Sequence, residues 1–326
     1  MTPALLIGAR VARAFRDRLA SRMDVITPES GPFPSMVAAL PGTDAARVRV
    51  AVVYGITDVS AAAIAALPAL ELVCCIGSGY ERVDLAAARA RGIAVTNSPG
   101  ANASAVADLA MGLMLASIRR IAEGDAYVRR GDWNDREARR DMQVRGLTGR
   151  KVGIWGLGAI GAKIASRCEA FEMDVAYHGR APHPGVRYPY HPTLAGLAAW
   201  ADVLMVAVRA GADNRRRVDA SVLRALGPGG HVVNVSRGST IDESALAAAL
   251  RDGTIAGAGL DVFEHEPDVP AELRALRNLV MTPHVGGNTD ETQLAMHDAV
   301  LANLDAFLAG RPLVSPVLER LPAVSA

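Results

Sequence analysis

Short apolar runs alternate with alanine-rich, helix-patterned stretches along almost the whole chain. Between residues 4 and 97 the runs are ALLIG, DVIT, VRVAVVY, LELVCCIG and IAVTN, and each predicts a strand. From Lys151 the alternation resumes more fully as KVGIW, DVAYH, DVLMVAV, HVVNVS, AGLDVF and LVMTPH. Strands separated by helices need crossover connections, and crossovers produce parallel sheets covered on both faces. Residues 104–130, SAVADLAMGLMLASIRRIAEGDAYVRR, predict one long helix that contains Asp108 and is apolar enough to be buried, as against a partner. A last helix is expected over Asp290–Leu308, followed by a tail marked by Arg311 and Pro312.

Composition narrows this picture. With 326 residues and about 150 per domain, two domains are expected. Half of the residues are hydrophobic but only 4% are aromatic, which points to a core of Ala, Val, Leu and Ile between strand and helix layers. The net charge of +1 gives no electrostatic footprint for nucleic acid or an anionic membrane, so neither is expected as a partner. Residues 129–151 are arginine-rich, but Asp132, Asp135, Glu137 and Asp141 interrupt them, as in a solvated connector. Cys74, Cys75 and Cys168 have neither zinc-ligand spacing nor a CxxC pair, so they read as core thiols and no metal is expected. The N-terminal run ALLIG is too short for a signal peptide, and no run approaches the ~20 residues of a membrane span. A cytoplasmic protein is the expectation.

The clearest chemical signal is a glycine turn. Gly156, Gly158 and Gly161, with Ala159 and Ile160 between the last two, follow the strand KVGIW and open the helical pattern AIGAKIASRCEAF. In this strand-turn-helix setting, the glycines allow a tight turn, close approach to a pyrophosphate and close helix packing, and the helix N-terminus favours phosphate. At the end of the next strand an NAD enzyme would carry Asp or Glu for the ribose 2'-hydroxyl. Here Gly179 is followed by Arg180, whereas Glu172 and Asp174 precede the strand's apolar body. A missing acid beside an arginine suits a 2'-phosphate, so NADP is the expected cofactor, with NAD second.

Three polar residues follow later apolar runs: Arg237 in NVSRGSTIDE, Glu266 in AGLDVFEHEP and His284 in LVMTPHVGG. Singly, each has an ordinary explanation as a domain bridge, a turn residue or a core histidine. Together, at strand ends downstream of a dinucleotide turn, they suit hydride chemistry on a keto acid. Arginine can grip a carboxylate with its planar fork, imidazole can exchange the accompanying proton, and a carboxylate can orient and charge-stabilise that imidazole.

The segments GSGYERVDLAAARARGIAVTNSPG, AVADLAMGLMLASIRRI, KVGIWGLGAIGAKIA, LGPGGHVVNVSRGSTIDESALAAAL, GAGLDVFEHEPDVP and TPHVGG occur in this order over nearly the full length. In them the chain resembles the D-isomer-specific 2-hydroxyacid dehydrogenase family, particularly its glyoxylate and hydroxypyruvate reductase branch. That resemblance implies an α/β fold of two Rossmann-like, doubly wound parallel-sheet domains with the active cleft between them. The substrate domain would be discontinuous, 1–99 with 288–326, around an NAD(P)-binding domain over 100–287. Arg237 would bind the substrate carboxylate and polarise its carbonyl, His284 would donate the proton in reduction, and Glu266 would be its partner. Asp261 would meet the nicotinamide carboxamide region, Ser236 would join the cofactor contacts, and the backbone at Ser78 and Gly79 would receive the substrate carboxylate. The resemblance also implies a homodimer embraced through the long helix and connector.

The expected activity is NADPH-preferring reduction of small 2-oxo acids, glyoxylate or hydroxypyruvate, to D-2-hydroxy acids. The alternatives are an NAD-linked D-2-hydroxyacid or phosphoglycerate dehydrogenase, or a dinucleotide-sensing interaction protein on the same fold. The sequence departs from relatives in three places: Arg209 stands where many have Pro, Arg215, Arg216 and Arg217 are added near the expected cofactor edge, and the run Val285, Gly286, Gly287, Asn288, Thr289 replaces a Gly-Ser-Ala-Thr often found after the histidine, with one hydroxyl lost.

Overall fold

The computed structural model describes residues 2–28, 31–133 and 143–319. Residues 134–142, the middle of the expected mixed-charge connector, lie outside the described residues. The chain divides into two compact units, Met1–Asn102 with Thr289–Ala326, and Ala103–Asn288. The strands are β1 (Ala4–Ile7), β2 (Asp24–Ile26), β3 (Val48–Tyr54), β4 (Leu72–Ile76), β5 (Ala94–Thr96) and β6 (Lys151–Trp155). They continue as β7 (Asp174–His178), β8 (Val203–Val206), β9 (His231–Asn234), β10 (Gly257–Leu260), β11 (Leu279–Met281) and β12 (Pro316–Leu318).

In the first unit the sheet order is β12-β5-β4-β3-β1-β2. Strand residues alternate between its faces, as a period of two requires. Leu5, Ile7, Val50, Val52, Leu72 and Cys74 pack with Met296, Val300, Leu301 and Leu304 of the helix Asp290–Leu308. Leu6, Ala51, Val53, Val73 and Cys75 pack on the opposite face with Phe33, Ile64 and Ile93. The adjacent cysteines therefore sit in different core layers. Burial pushes the Cys74 thiol up to about 12 and drives Cys75 higher still, as expected of inert core thiols.

The tail after Pro312 is more than a tail, because β12 pairs antiparallel with β5 and makes this sheet mixed. The cause is a buried polar side chain. Asn303 Oδ1 accepts from Val314 N–H and Ser315 N–H at 3.0 and 3.1 Å, which turns the chain back, and Ser315 Oγ donates to Asn97 O at 2.6 Å.

The second unit holds a six-stranded sheet in the order β11-β10-β9-β8-β6-β7, every neighbour parallel. Its two cores lie on either face, one built with Leu194, Leu197, Leu223 and Leu246, the other with Val106, Leu113, Ile164 and Ala165. The long helix expected over 104–130 is two helices, Ala103–Ile118 and Ile121–Arg129. Arg120 breaks it: its backbone is left-handed at φ 52°, and its guanidinium Nε reaches Glu123 Oε2 in the next helix's first turn at 2.7 Å. Ala103–Ile118 is buried within its own unit. A Cβ on Gly259 of β10 would lie 2.9 Å from Leu113 Cβ, so glycine there permits the close approach, and Asp108 pairs with Arg167 at 2.7 Å. None of the described helices is long and apolar enough to cross a membrane.

At the amino end of β9, burial and then the charge of Arg150 lower His231 from 6.5 to about 4, while Asp202 opposes them. Its Nδ1 lies 2.9 Å from Ser117 Oγ. The folded protein thus prefers neutral His231, and its contribution is complete above pH 6.5 and lost as pH falls from 6.5 towards about 4. Urea midpoints should drop between pH 7 and 5, and His231→Gln, neutral at both, should show a smaller drop. Equal drops in both proteins would remove His231 as the cause.

Candidate active site

The carboxyl ends of the second unit's strands form a straight row. Trp155 pairs with both His178 and Val206, Val206 with Asn234, Asn234 with Leu260, and Leu260 with Met281. The residues just beyond this row are Gly156, Gly179, Ala207, Val235, Asp261 and Thr282. Strand order reverses between β6 and β8, where open α/β sheets bind ligands outside the carboxyl ends of their strands.

The glycine turn lies at this reversal. Gly156 has φ 99°, and a Cβ there would come within 2.6 Å of the Val208 backbone. A Cβ on Gly161 would lie 2.0 Å from Gly156 O, so only glycine lets the helix Ala159–Ala170 sit so close to the turn. Gly158 differs: nothing lies within 4 Å of its missing Cβ, and as the helix N-cap it supplies no side-chain hydrogen bond. The turn therefore offers an uncapped helix N-terminus, with Ala159 and Ile160 in its first turn, facing open space. These residues fit a dinucleotide pyrophosphate. Beyond β7, Gly179 O accepts from Tyr190 Oη at 3.1 Å, and exposed Arg180 has no hydrogen bond or ion pair among the described residues. Asp174 begins β7, at the opposite end from the row. Ser236 is buried, its Oγ donating to Val208 O at 2.6 Å, which pins the loop after β9 to the loop after β8.

The structure brings Glu266 and His284 together. His284 Nδ1 lies 2.7 Å from Glu266 Oε2, both side chains being part-exposed, and Glu266 Oε1 accepts from Phe263 N–H at 3.0 Å. With Nδ1 occupied by the carboxylate, Nε2 is the ring nitrogen left to face a ligand. Burial, the largest single influence on Glu266, raises its pKa. The hydrogen bonds from His284 and Phe263 and the charges of His284 and Arg237 outweigh it, and the carboxyl lies below its usual range. Arg237 begins the short turn Gly238–Thr240, and its Nη1 donates to Ser236 O at 2.7 Å. Its charge reaches Glu266, so all three residues share one electrostatic neighbourhood.

Neighbouring side chains hold these in place, some of them not singled out from sequence. Asn234 Nδ2 and Thr240 Oγ1 both donate to Arg237 O, at 3.0 and 2.7 Å. Asp261, 2% exposed, spends its carboxylate inside the protein: Oδ1 accepts from Thr282 Oγ1 at 2.6 Å and Val285 N–H at 2.9 Å, and Oδ2 from Gly286 N–H at 2.9 Å. Its carbonyl accepts from His284 N–H at 2.8 Å, which supports that residue's left-handed φ of 52°. Asn234 and Thr282 were visible in sequence only as polar residues closing apolar strands. Of the added arginines, Arg215 and Arg216 pair with Glu264, on the loop after β10.

Ser78 and Gly79 belong to the first unit, on the loop after β4. Ser78 Oγ lies within donating distance of Ser98 O and Asn102 Oδ1, at 3.2 and 3.0 Å, and Asn97 Nδ2 donates to Ser78 O at 2.7 Å. A Cβ on Gly55 would lie 2.0 Å from Gly79 O, so the loop after β3 braces this one. The Ser78 and Gly79 amides donate to no acceptor among the described residues.

Residues 111–286 match the profile of the D-isomer specific 2-hydroxyacid dehydrogenase, NAD binding domain. The chain belongs to the D-isomer-specific 2-hydroxyacid dehydrogenase family. Its relatives place it in the glyoxylate/hydroxypyruvate reductase branch. It is 45% identical over 255 residues to glyoxylate/hydroxypyruvate reductase A of Arabidopsis thaliana, which covers 78% of this chain and 80% of the plant protein. It is 43% identical, with the same coverage, to a hydroxyphenylpyruvate reductase of Plectranthus scutellarioides. The crystal structure of an NADPH-dependent glyoxylate/hydroxypyruvate reductase from Sinorhizobium meliloti, in complex with NADP and malonate, superposes with a TM-score of 0.89. That protein is 38% identical over 99% of this chain and 100% of its own. As a member of this family the chain is an NAD(P)-dependent oxidoreductase, and its α/β architecture is that of the family.

Proposed function

We propose that this protein is an NADPH-preferring reductase of small 2-oxo acids, glyoxylate and hydroxypyruvate first, giving D-2-hydroxy acids. The observation that carries the reading is the 2.7 Å pair of His284 and Glu266 on the sheet edge that also bears the dinucleotide turn. The Sinorhizobium meliloti reductase with NADP, and the curated reductases, support the choice of substrate and cofactor. In this reading residues 100–287 bind the dinucleotide and 1–99 with 288–326 form the substrate domain. Gly156, Gly158, Ala159, Ile160 and Gly161 hold the pyrophosphate, Gly179 and Arg180 meet the ribose 2'-phosphate, and Ser236 and Asp261 shape the nicotinamide end. The bound dinucleotide supplies the hydride. Arg237 grips the substrate carboxylate and polarises the carbonyl oxygen, and Ser78 and Gly79 are assigned to substrate binding through their backbone amides. His284, kept oriented by Glu266, delivers the proton to the new alkoxide oxygen from Nε2. Exposed Ile121, Val128 and Trp133 support a homodimeric arrangement through the helix Ile121–Arg129 and the connector after it.

A panel of 2-oxo acids assayed with NADPH and NADH in parallel tests the reading. Steady NADPH consumption with hydroxypyruvate or glyoxylate is expected, and cofactor binding without turnover of any acid would overturn it. Arg237→Lys keeps the charge but loses the planar fork, so kcat and the apparent affinity for the 2-oxo acid should both fall, with kcat/KM down about tenfold or more. Unchanged kinetics would reduce Arg237 to a diffuse positive charge.

A further inference from the structure

The second unit buries a carboxylate that the acid-base pair does not use. Glu264 lies two residues before Glu266, and its side chain is only 6% exposed. Arginines from the loop after β8 take both its oxygens: Arg215 Nη2 donates to Oε1, and Arg216 Nη2 lies 3.1 Å from Oε2 and 3.3 Å from Oε1. Its backbone N–H donates at 2.7 Å to Oε1 of Glu243, the first residue of the helix Glu243–Arg251. The other charges facing this cluster are Asp242, near Arg216, and His265, near Glu243. The carboxylate is thus held from the solvent side by two half-exposed arginines.

The clamp has one costly feature. Arg216 holds φ 49°, a left-handed conformation uncommon for a residue with a side chain, while its N–H donates to Ser239 O at 2.7 Å. Strain of this kind persists where several contacts over-determine a position.

Each end of the clamp leads to the site. On one side the loop after β8 runs through Val208, which abuts the Gly156 turn and accepts from Ser236 Oγ. On the other, Glu266 folds back to accept from Phe263 N–H while holding His284, so residues 263–266 form one closed turn with Glu264 inside it. We propose that Glu264 is a positioning residue: by gripping Arg215 and Arg216 it fixes the turn that presents Glu266 to His284, and ties that turn to the loop beside the dinucleotide glycines. The proposal rests on reading Glu266 and His284 as the acid-base pair.

The test is the pH profile of kcat/KM for hydroxypyruvate reduction with NADPH, measured on the full-length protein alongside thermal midpoints. Glu264→Gln keeps the shape of the side chain but releases the arginines. The alkaline limb should move down by about one pH unit, a loss of about tenfold above the limb with little loss below it. Arg215→Ala combined with Arg216→Gly should shift the limb in the same way even though glycine relieves the strained φ. Adding Glu264→Gln to that pair should shift it no further, because all three changes break one clamp. Arg216→Lys, which keeps a cation against Glu264, should stay close to wild type. An unmoved limb, with only a uniform loss of rate or a lower thermal midpoint, would overturn the proposal, as would additive shifts. Glu266→Gln, measured in parallel, separates the two readings: if it moves the limb and Glu264→Gln does not, the clamp fails alone, and if neither moves it, the acid-base pair fails.

Discussion

Replacing His284 with alanine is expected to lower turnover of 2-oxo acids by about 10²- to 10⁴-fold while leaving dinucleotide affinity nearly unchanged, the range usual for a positioned acid-base group. The geometry separates the two effects. His284 sits on the loop after β11, its imidazole paired with Glu266, whereas the glycines that fit the pyrophosphate lie on the turn after β6. Truncation to alanine leaves the backbone bond from His284 N–H to Asp261 O available, so the loop should survive the change. Turnover by single-cycle kinetics and cofactor binding by fluorescence titration would be measured on the same preparation. A variant within a few-fold of wild-type turnover would sink the assignment. Glu266→Gln is a subtler probe. Its carboxyl lies below the usual range despite the opposing pull of burial, so it is ionised throughout the neutral range in which an imidazole exchanges protons. Its stabilising contribution is present above the ordinary carboxyl range and is lost only as pH falls through the lowered value. A neutral amide no longer favours a protonated imidazole, so reduction should fade at lower pH than in wild type. An unchanged profile would remove Glu266 from that role.

The strands that carry these residues were readable because each is a short apolar run ended by a polar or glycine residue, and a parallel sheet buried on both faces demands such runs. The glycine turn was readable for a related reason: backbone approaches of 2.0 and 2.6 Å exclude any side chain at Gly161 and Gly156. What could not be read depends on partners distant in sequence or on backbone sign. Arg215 and Arg216 looked like additions at a cofactor edge, yet their partner Glu264 lies 49 and 48 residues further on. Arg120 sits inside an unbroken helical pattern, and nothing in that pattern reveals its left-handed turn. β12 is only three residues long and owes its place to Asn303, a buried amide that a helical pattern would assign to solvent. Asp261 shows the limit for roles within the site. Its place at a strand end was legible, but its use as the acceptor for Thr282, Val285 and Gly286 appears only once the loop has folded around it.

The cofactor preference should reverse when residues 179 and 180 are exchanged for an NAD-type pair. Gly179 leaves no carboxylate to accept the ribose hydroxyls or to repel a 2'-phosphate, and the exposed Arg180, without a partner among the described residues, is available to that phosphate. A charge-assisted contact of this kind is worth about 1 to 3 kcal/mol, or roughly a 5- to 150-fold preference for NADPH. The structure makes the exchange a clean one. A Cβ at Gly179 meets nothing closer than Ala181 O at 3.9 Å, and Gly179 is not among the glycines with positive φ, so aspartate fits without strain. Gly179→Asp with Arg180→Ala removes the attraction and adds both an acceptor for the hydroxyls and a repulsion against the phosphate. Because the two changes act in the same direction, the ratio of catalytic efficiencies should swing by about 10²-fold or more in total. That ratio, for NADPH over NADH at fixed hydroxypyruvate and fixed salt, should lie well above one in the wild type and below one in the variant. A wild-type ratio at or below one would overturn the NADPH assignment outright. A high wild-type ratio that the variant retains would instead locate the 2'-phosphate contact elsewhere on the carboxyl edge, with Arg217, exposed on the loop after β8, as the next residue to replace.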